Sequence, residues 1–185
     1  MSENNEQKFY EMTIAGCRRK LPLCPVNDKL DIAAFIMFGD VEVTVESAKQ
    51  LLAKCPDFDV IITAESKGIP LAYEMARQSG KPYVVARKTV KLYMQDCVSA
   101  TVKSITTAEE QTLYLDGDRA ALLKGKRVLI ADDVISTGES LKSIVALVNA
   151  AGGNIVGKAT VLAEGDAADR DDIIFLDKLP LFFKD

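Results

Sequence analysis

KGKRVLIADDVISTGESLKSIVALV, residues 124–148, places two acids and a loop of small residues between an apolar run and an amphipathic stretch. Val128, Leu129, Ile130 and Ala131 form a short, partly β-branched run that reads as an interior strand of a parallel sheet. Asp132 and Asp133 then stand where this strand leaves the core. Ser136, Thr137, Gly138 and Ser140 make the turn that opens a helix reaching to about residue 151. Open α/β sheets bind their ligands at that edge.

The backbone N–H groups of a Ser-Thr-Gly turn at a helix start form a concavity of donors with a favourable dipole, which suits a phosphate monoester. The hydroxyls of Ser136, Thr137 and Ser140 add donors. Carboxylates pointing into that cradle would repel the phosphate, so Asp132 and Asp133 are expected to accept from neighbouring hydroxyls instead. A ribose 5-phosphate offers both kinds of group. Neither G-x-x-x-x-G-K-[ST] nor G-x-G-x-x-G occurs in the chain. The plainer alternative is an ordinary strand-to-helix connection with acids at the helix start.

A second stretch, TAESKGIPLAYEMA at 63–76, again reads strand, polar turn, helix. Gly68 permits close backbone approach, Ser66 and the loop amides can donate to an anion, and Lys67 adds charge. An N-capped helix following a strand explains the same residues without a ligand. In the third, VVARKTVKLYM at 84–94, Arg87, Lys88 and Lys91 follow a strand. Such cations usually make a solvated face, but the carboxyl end of this strand should open on the same cleft.

In this order the three motifs resemble the type I phosphoribosyltransferases, closest to the adenine and xanthine (purine) enzymes. The resemblance implies a central parallel sheet flanked by helices in an α/β fold, with a small N-terminal hood and a mobile β-hairpin. It places Asp132 and Asp133 on the ribose hydroxyls of phosphoribosyl pyrophosphate, and Ser136, Thr137, Gly138, Glu139 and Ser140 around its 5-phosphate. Glu65, Ser66, Lys67 and Gly68 match the pyrophosphate loop, where a non-proline cis peptide is common. Arg87, Lys88 and Lys91 match A-R-K-x-x-K, whose cations meet pyrophosphate and begin the hairpin, here 93–111. It also implies Mg²⁺ bound mainly through the substrate, and a homodimer. Transfer through a cationic sugar needs a held leaving group and excluded water, which gives Arg87 and Lys91 catalytic parts. With no histidine in the chain, Asp133 is the candidate for taking the proton from the base.

Two departures stand out. The Tyr-x-Leu-Glu-Tyr-Gly sequence of adenine enzymes is absent from 93–111, so no catalytic glutamate carries over, and Glu139 stands where many members have a small residue, so its carboxylate is expected to turn outward. The base would lie under the hood, with Phe35, Ile36, Met37 and Phe38 as the stacking surface, although such a run also suits plain core. Xanthine enzymes tend to carry a lysine after the next strand, where this chain has Glu164. An acid there would repel xanthine and accept from an amino group, which favours adenine. Xanthine or another 6-oxopurine is the alternative. A further one is a non-catalytic regulator sensing phosphoribosyl pyrophosphate, whose helix-turn-helix would have to precede Asp57. The last is an interaction module that lost activity.

The 185 residues, 48% of them hydrophobic, suffice for one domain with one core. Within 1–185, residues 1–8 read as a disordered tail, 9–43 as the hood and 44–178 as the core. A net charge of −4 speaks against nucleic-acid binding as the main task. Cys17, Cys24, Cys55 and Cys97 show no C-x-x-C spacing. A polar, acidic N-terminus and the lack of a bilayer-length apolar run predict no signal peptide, no membrane and a cytoplasmic location. Periodicity predicts strands at 60–63, 82–86, 155–162 and 173–176, a helix at 69–79 stopped by Gly80, and a helix capped by Thr44 running to about 54. EMTIAG and LDIAAFIMF read as strands separated by the proline-bearing 21–28, and the tail LPLFFKD as a packed tail or dimer contact.

Overall fold

The computed structural model describes residues 7–103 and 110–184. Most of the expected tail at 1–8, and residues 104–109 of the expected loop, lie outside the described residues. The chain opens with β1 (Phe9–Ile14), β2 (Cys17–Asn27), β3 (Leu30–Ala33) and α1 (Val41–Leu52). There follow β4 (Val60–Ala64), α2 (Ile69–Ser79), β5 (Tyr83–Ala86), β6 (Val98–Lys103), β7 (Glu110–Leu115) and the short α3 (Gly117–Ala121). It ends with β8 (Arg127–Ile135), α4 (Glu139–Ala150), β9 (Asn154–Glu164), a 3-10 turn (Gly165–Asp169), β10 (Ile174–Leu179) and β11 (Leu181–Phe183).

The central sheet runs β10-β9-β8-β4-β5 with every pairing parallel. Val60–Ile62 of β4 and Val128–Ala131 of β8 are unbroken apolar runs because both faces of the sheet are covered there. Ile61 of β4 and Leu129 of β8 pack with Val43, Leu51, Leu71 and Met75 from α1 and α2. Val60, Ile62, Val128 and Ile130 pack on the other face with Leu141, Ile144, Leu147 and Val148, the apolar stripe of α4. The first core also takes Ile14, Leu21 and Ala33 from a separate antiparallel sheet, β1-β2-β3-β11. β6 and β7 form a two-stranded hairpin beside α4.

Helix α2 and its left-handed stop at Gly80 match the sequence expectation. Five other features differ from it or add to it. Asp40, not Thr44, caps α1: its Oδ1 accepts from Val43 N at 3.2 Å, and the Thr44 hydroxyl instead donates to the Asp40 carbonyl. The prolines of 21–28 lie inside β2 rather than in a connection. Pro22 occupies the last rung with β1 and Pro25 borders a register shift against β3, positions where a missing N–H disturbs no regular ladder. Residues 34–38 are not strand, and the C-terminal tail supplies β11, pairing Leu181 with Ile32 and extending the hood sheet. Strand β8 runs on through both acids to Ile135, in register with β9 at Asp132↔Thr160 and Ile135↔Ala163.

Candidate active site

Parallel strands end on the same side, so the ends of β4, β5, β8 and β9 bring their following residues to one edge. After β4, the Glu65–Ser66 peptide is cis and Ser66 and Lys67 are exposed. Gly68 opens α2 packed against the neighbouring strand. A Cβ there would collide with Thr63 Oγ1 and stand 3.0 Å from Asp132 Oδ1. Only glycine lets this loop lie on the acid pair.

The pair itself is an electrostatic conflict. Asp133 is 3% exposed and its N–H donates to Asp132 Oδ1 at 2.9 Å. Asp133 Oδ2 is buried without a hydrogen bond, with the Lys67 ammonium 3.5 Å away. Burial, and then the negative charge of Asp133, push the Asp132 carboxyl up to about 8. Two acids kept this close, one with an orphaned oxygen, form a place that a hydroxyl pair or a cation would relieve.

Glu65 turns away from that centre. Its Oε1 accepts from Lys88 N at 2.6 Å and its Oε2 lies 3.2 Å from Arg87 Nε. That ion pair is off the N–H direction, since Arg87 Nε is buried without a hydrogen bond. Expected as a ligand-binding residue, Glu65 thus ties the two cation-bearing segments together. Arg87 also exchanges both backbone hydrogen bonds with Tyr114 of β7, at 2.9 and 2.8 Å, fixing it to the root of the hairpin. Lys91 is half-buried, with Nζ on Thr89 Oγ1 at 2.8 Å.

The loop from Ser136 to Ser140 walls a cavity of about 110 Å³ together with Asp132, Val134, Ile135 and Leu141. Thr137 and Ser140 are exposed, Ser136 and Glu139 half-buried, and Gly138 has φ +79° as the cap of α4. Of the apolar run near the hood, Phe35, expected to stack on the base, is 5% exposed and packs in the core. Ile36 and Phe38 are outward, 55% and 52% exposed. Glu164 is buried at the end of β9, paired in register with Leu179. A hollow of about 800 Å³ lies elsewhere, between Tyr93, Asp116 and α3 on one side and the end of α4 on the other, and is lined by none of the expected site residues. A residue that sequence reading did not single out, Arg170, stands against Gly138, where a Cβ would meet its Nη1 at 2.6 Å.

Residues 45–182 match the phosphoribosyl transferase domain model, and the chain belongs to that family. It is 37% identical over 122 residues to a xanthine phosphoribosyltransferase of an Exiguobacterium species, covering 65% of this chain and 62% of that one. It is 34% identical over 129 residues to an adenine phosphoribosyltransferase of Cenarchaeum symbiosum, covering 69% and 73%. The chain thus spans less than two thirds of the xanthine relative's length. In fold it is similar to the crystal structure of an adenine phosphoribosyltransferase from Thermoanaerobacter pseudethanolicus, with TM-score 0.70, 24% identity and coverage of 85% and 95%.

Among the described residues before Asp57 there is one helix, α1, and so no helix-turn-helix. No helix of the described residues is long and apolar enough to cross a membrane.

Proposed function

We propose that the chain transfers the 5-phosphoribosyl group of phosphoribosyl pyrophosphate to a purine base, with adenine preferred. The observation that carries this is the Asp132–Asp133 pair at the end of β8, pressed on Gly68 and followed directly by the loop cradle. The acids accept from the ribose hydroxyls, and the amides and hydroxyls of Ser136, Thr137 and Ser140 hold the 5-phosphate. Ser66, Lys67, Arg87, Lys88 and Lys91 gather on the pyrophosphate. As the bond from C1′ to pyrophosphate oxygen breaks and the bond to the purine nitrogen forms, these cations take up the leaving charge. The base loses one proton, for which Asp133 is the acceptor on this chain.

The acid pair also fits a hard divalent cation. Among the described residues no three His, Cys, Asp or Glu side chains gather as a metal site, so Mg²⁺ would be held by Asp132 or Asp133 and otherwise by substrate oxygens and water. When bound it supplies neutralisation of the pyrophosphate charge.

Ile36 and Phe38 are the exposed apolar groups for stacking on the base, and Glu164 the acceptor for its amino group or ring N–H. The similarity to a xanthine enzyme favours the second reading, a 6-oxopurine. A competition decides. Adenine should be consumed faster than xanthine at equal concentration, and Glu164→Lys should move the ratio towards xanthine by about tenfold, the scale of one charged contact. Preference of the unaltered protein for xanthine would overturn the adenine assignment.

A homodimer in the cytoplasm belongs to the same proposal, with the edge strand β5 and the exposed Leu92 and Tyr93 as its seam. Sedimentation should give twice the 20.1 kDa chain mass. A single-chain mass at micromolar concentration would remove this part.

A further inference from the structure

We infer that Arg170 is the fixed counter-charge of the ribose 5-phosphate, held by Asp172 with its Nη1 against the backbone of the phosphate loop; this rests on the phosphate reading of that loop given above. The loop at 134–141 contains no lysine or arginine and one acid, Glu139. Its donors are backbone amides, hydroxyls and the start of α4, whose dipole contributes only about half a charge. A phosphate dianion there lacks a full positive partner within the loop.

The 3-10 turn Gly165–Asp169, which follows β9, brings Arg170 to that place. Its Nε donates to Asp172 Oδ1 at 2.8 Å and its Nη2 to Asp172 Oδ2 at 2.9 Å. Lys158 of β9 donates to the same Oδ2 at 2.6 Å. This fork fixes the guanidinium plane. Among the described residues Nη1 makes no hydrogen bond, and it occupies the space a Cβ of Gly138 would fill. The left-handed φ of +79° at Gly138 already favours glycine. The guanidinium gives the position a second reason, since any side chain would push the charge off the loop.

Arg170 does not line the cavity enclosed by the loop. Its charge therefore acts through the loop's backbone from behind, as a positioning and field-supplying residue rather than a catalytic one. Asp172 keeps the arrangement at working pH, because the fork from Arg170, and then Lys158, hold its carboxyl well below the usual range.

The test is calorimetric titration of the full chain with adenosine 5′-monophosphate and, separately, with inorganic pyrophosphate. Arg170→Ala should weaken nucleotide binding about ten- to a hundredfold, the scale of one charge-assisted interaction, and leave pyrophosphate affinity within about threefold. Arg170→Lys should recover part of the loss. Nucleotide affinity of the unaltered protein should rise as pH passes about 6, where the phosphate loses its second proton. That rise should flatten in Arg170→Ala and persist in Arg170→Lys, which a merely structural role would not produce. Asp172→Asn keeps the charge but frees it, and should cost a smaller factor with the pH rise retained. Unchanged nucleotide affinity in Arg170→Ala, or equal losses for nucleotide and pyrophosphate, would overturn the inference; should Arg170→Ala not fold, unchanged affinity in Asp172→Asn would do so. Failure of the unaltered protein to bind either nucleotide or phosphoribosyl pyrophosphate would instead overturn the function proposed above.

Discussion

Asp132→Asn is expected to raise the stability of the unliganded chain while abolishing most of its turnover. The carboxyl of Asp132 is pushed up from the ordinary range of about 4, so the folded state holds a proton that the unfolded chain has released. Stability from this group is therefore fully present below pH about 4 and is lost as pH rises through its raised value. At pH 8 to 9 the asparagine variant should exceed the unaltered protein by about 1 kcal/mol or more, since each pKa unit is worth 1.36 kcal/mol. That corresponds to about 2–4 °C per kcal/mol in midpoint for a chain of this size. The difference should shrink towards pH 4. Activity should move oppositely: losing charge-assisted bonds to the ribose hydroxyls, each about 1.5–3 kcal/mol, should lower kcat/KM by about tenfold or more for Asp132→Asn. For the double variant with Asp133→Asn the loss should reach about a hundredfold or more. Thermal unfolding against pH, beside donor-dependent turnover, measures both. A variant less stable than the unaltered protein at pH 8 would remove the like-charge account of the pair.

Arg87→Ala is the second large effect. It removes the cation that sits between the Glu65 carboxylate and the base of the hairpin. Donor affinity and kcat/KM should fall about ten- to a hundredfold, and inorganic pyrophosphate binding should fall with them. Binding of the nucleotide product, which lacks pyrophosphate, should change by less than about threefold. Lys91→Ala should follow the same pattern with a smaller loss, because its ammonium is a point charge without a fixed fork. Equal losses for donor and product would move both residues out of the pyrophosphate position.

The parallel core was legible because Val60 to Ile62 and Val128 to Ala131 are apolar on both alternating faces, which only a covered strand tolerates. The turn chemistry of Gly80 was equally plain. The acids were placed one step too far out. Strand β8 continues past them because its backbone still pairs with β9 as far as Ala163, and pairing is blind to the polarity of a side chain that reaches the cleft. Prolines misled in β2 for a related reason: a change of partner strand and a register shift are properties of the sheet, not of the local residues. The hood's fourth strand comes from the other end of the chain, which no local pattern announces. Within the site, residue type told which groups could bind an anion, but not that Glu65 would spend its carboxylate on Lys88 and Arg87, nor that Phe35 would turn inward. Arg170 was hidden among the acids of 166–172 because its significance lies in a contact with Gly138, across the sheet edge.

The central claim is a group transfer, and its most direct measurement is stoichiometric. The protein is incubated with phosphoribosyl pyrophosphate, Mg²⁺ and adenine, and pyrophosphate and nucleoside monophosphate are quantified together. The account predicts that both appear in equal amounts, that neither forms without the base, and that the Asp132→Asn, Asp133→Asn double variant forms neither above about a hundredth of that rate. No pyrophosphate release with adenine, xanthine, hypoxanthine or guanine would contradict it.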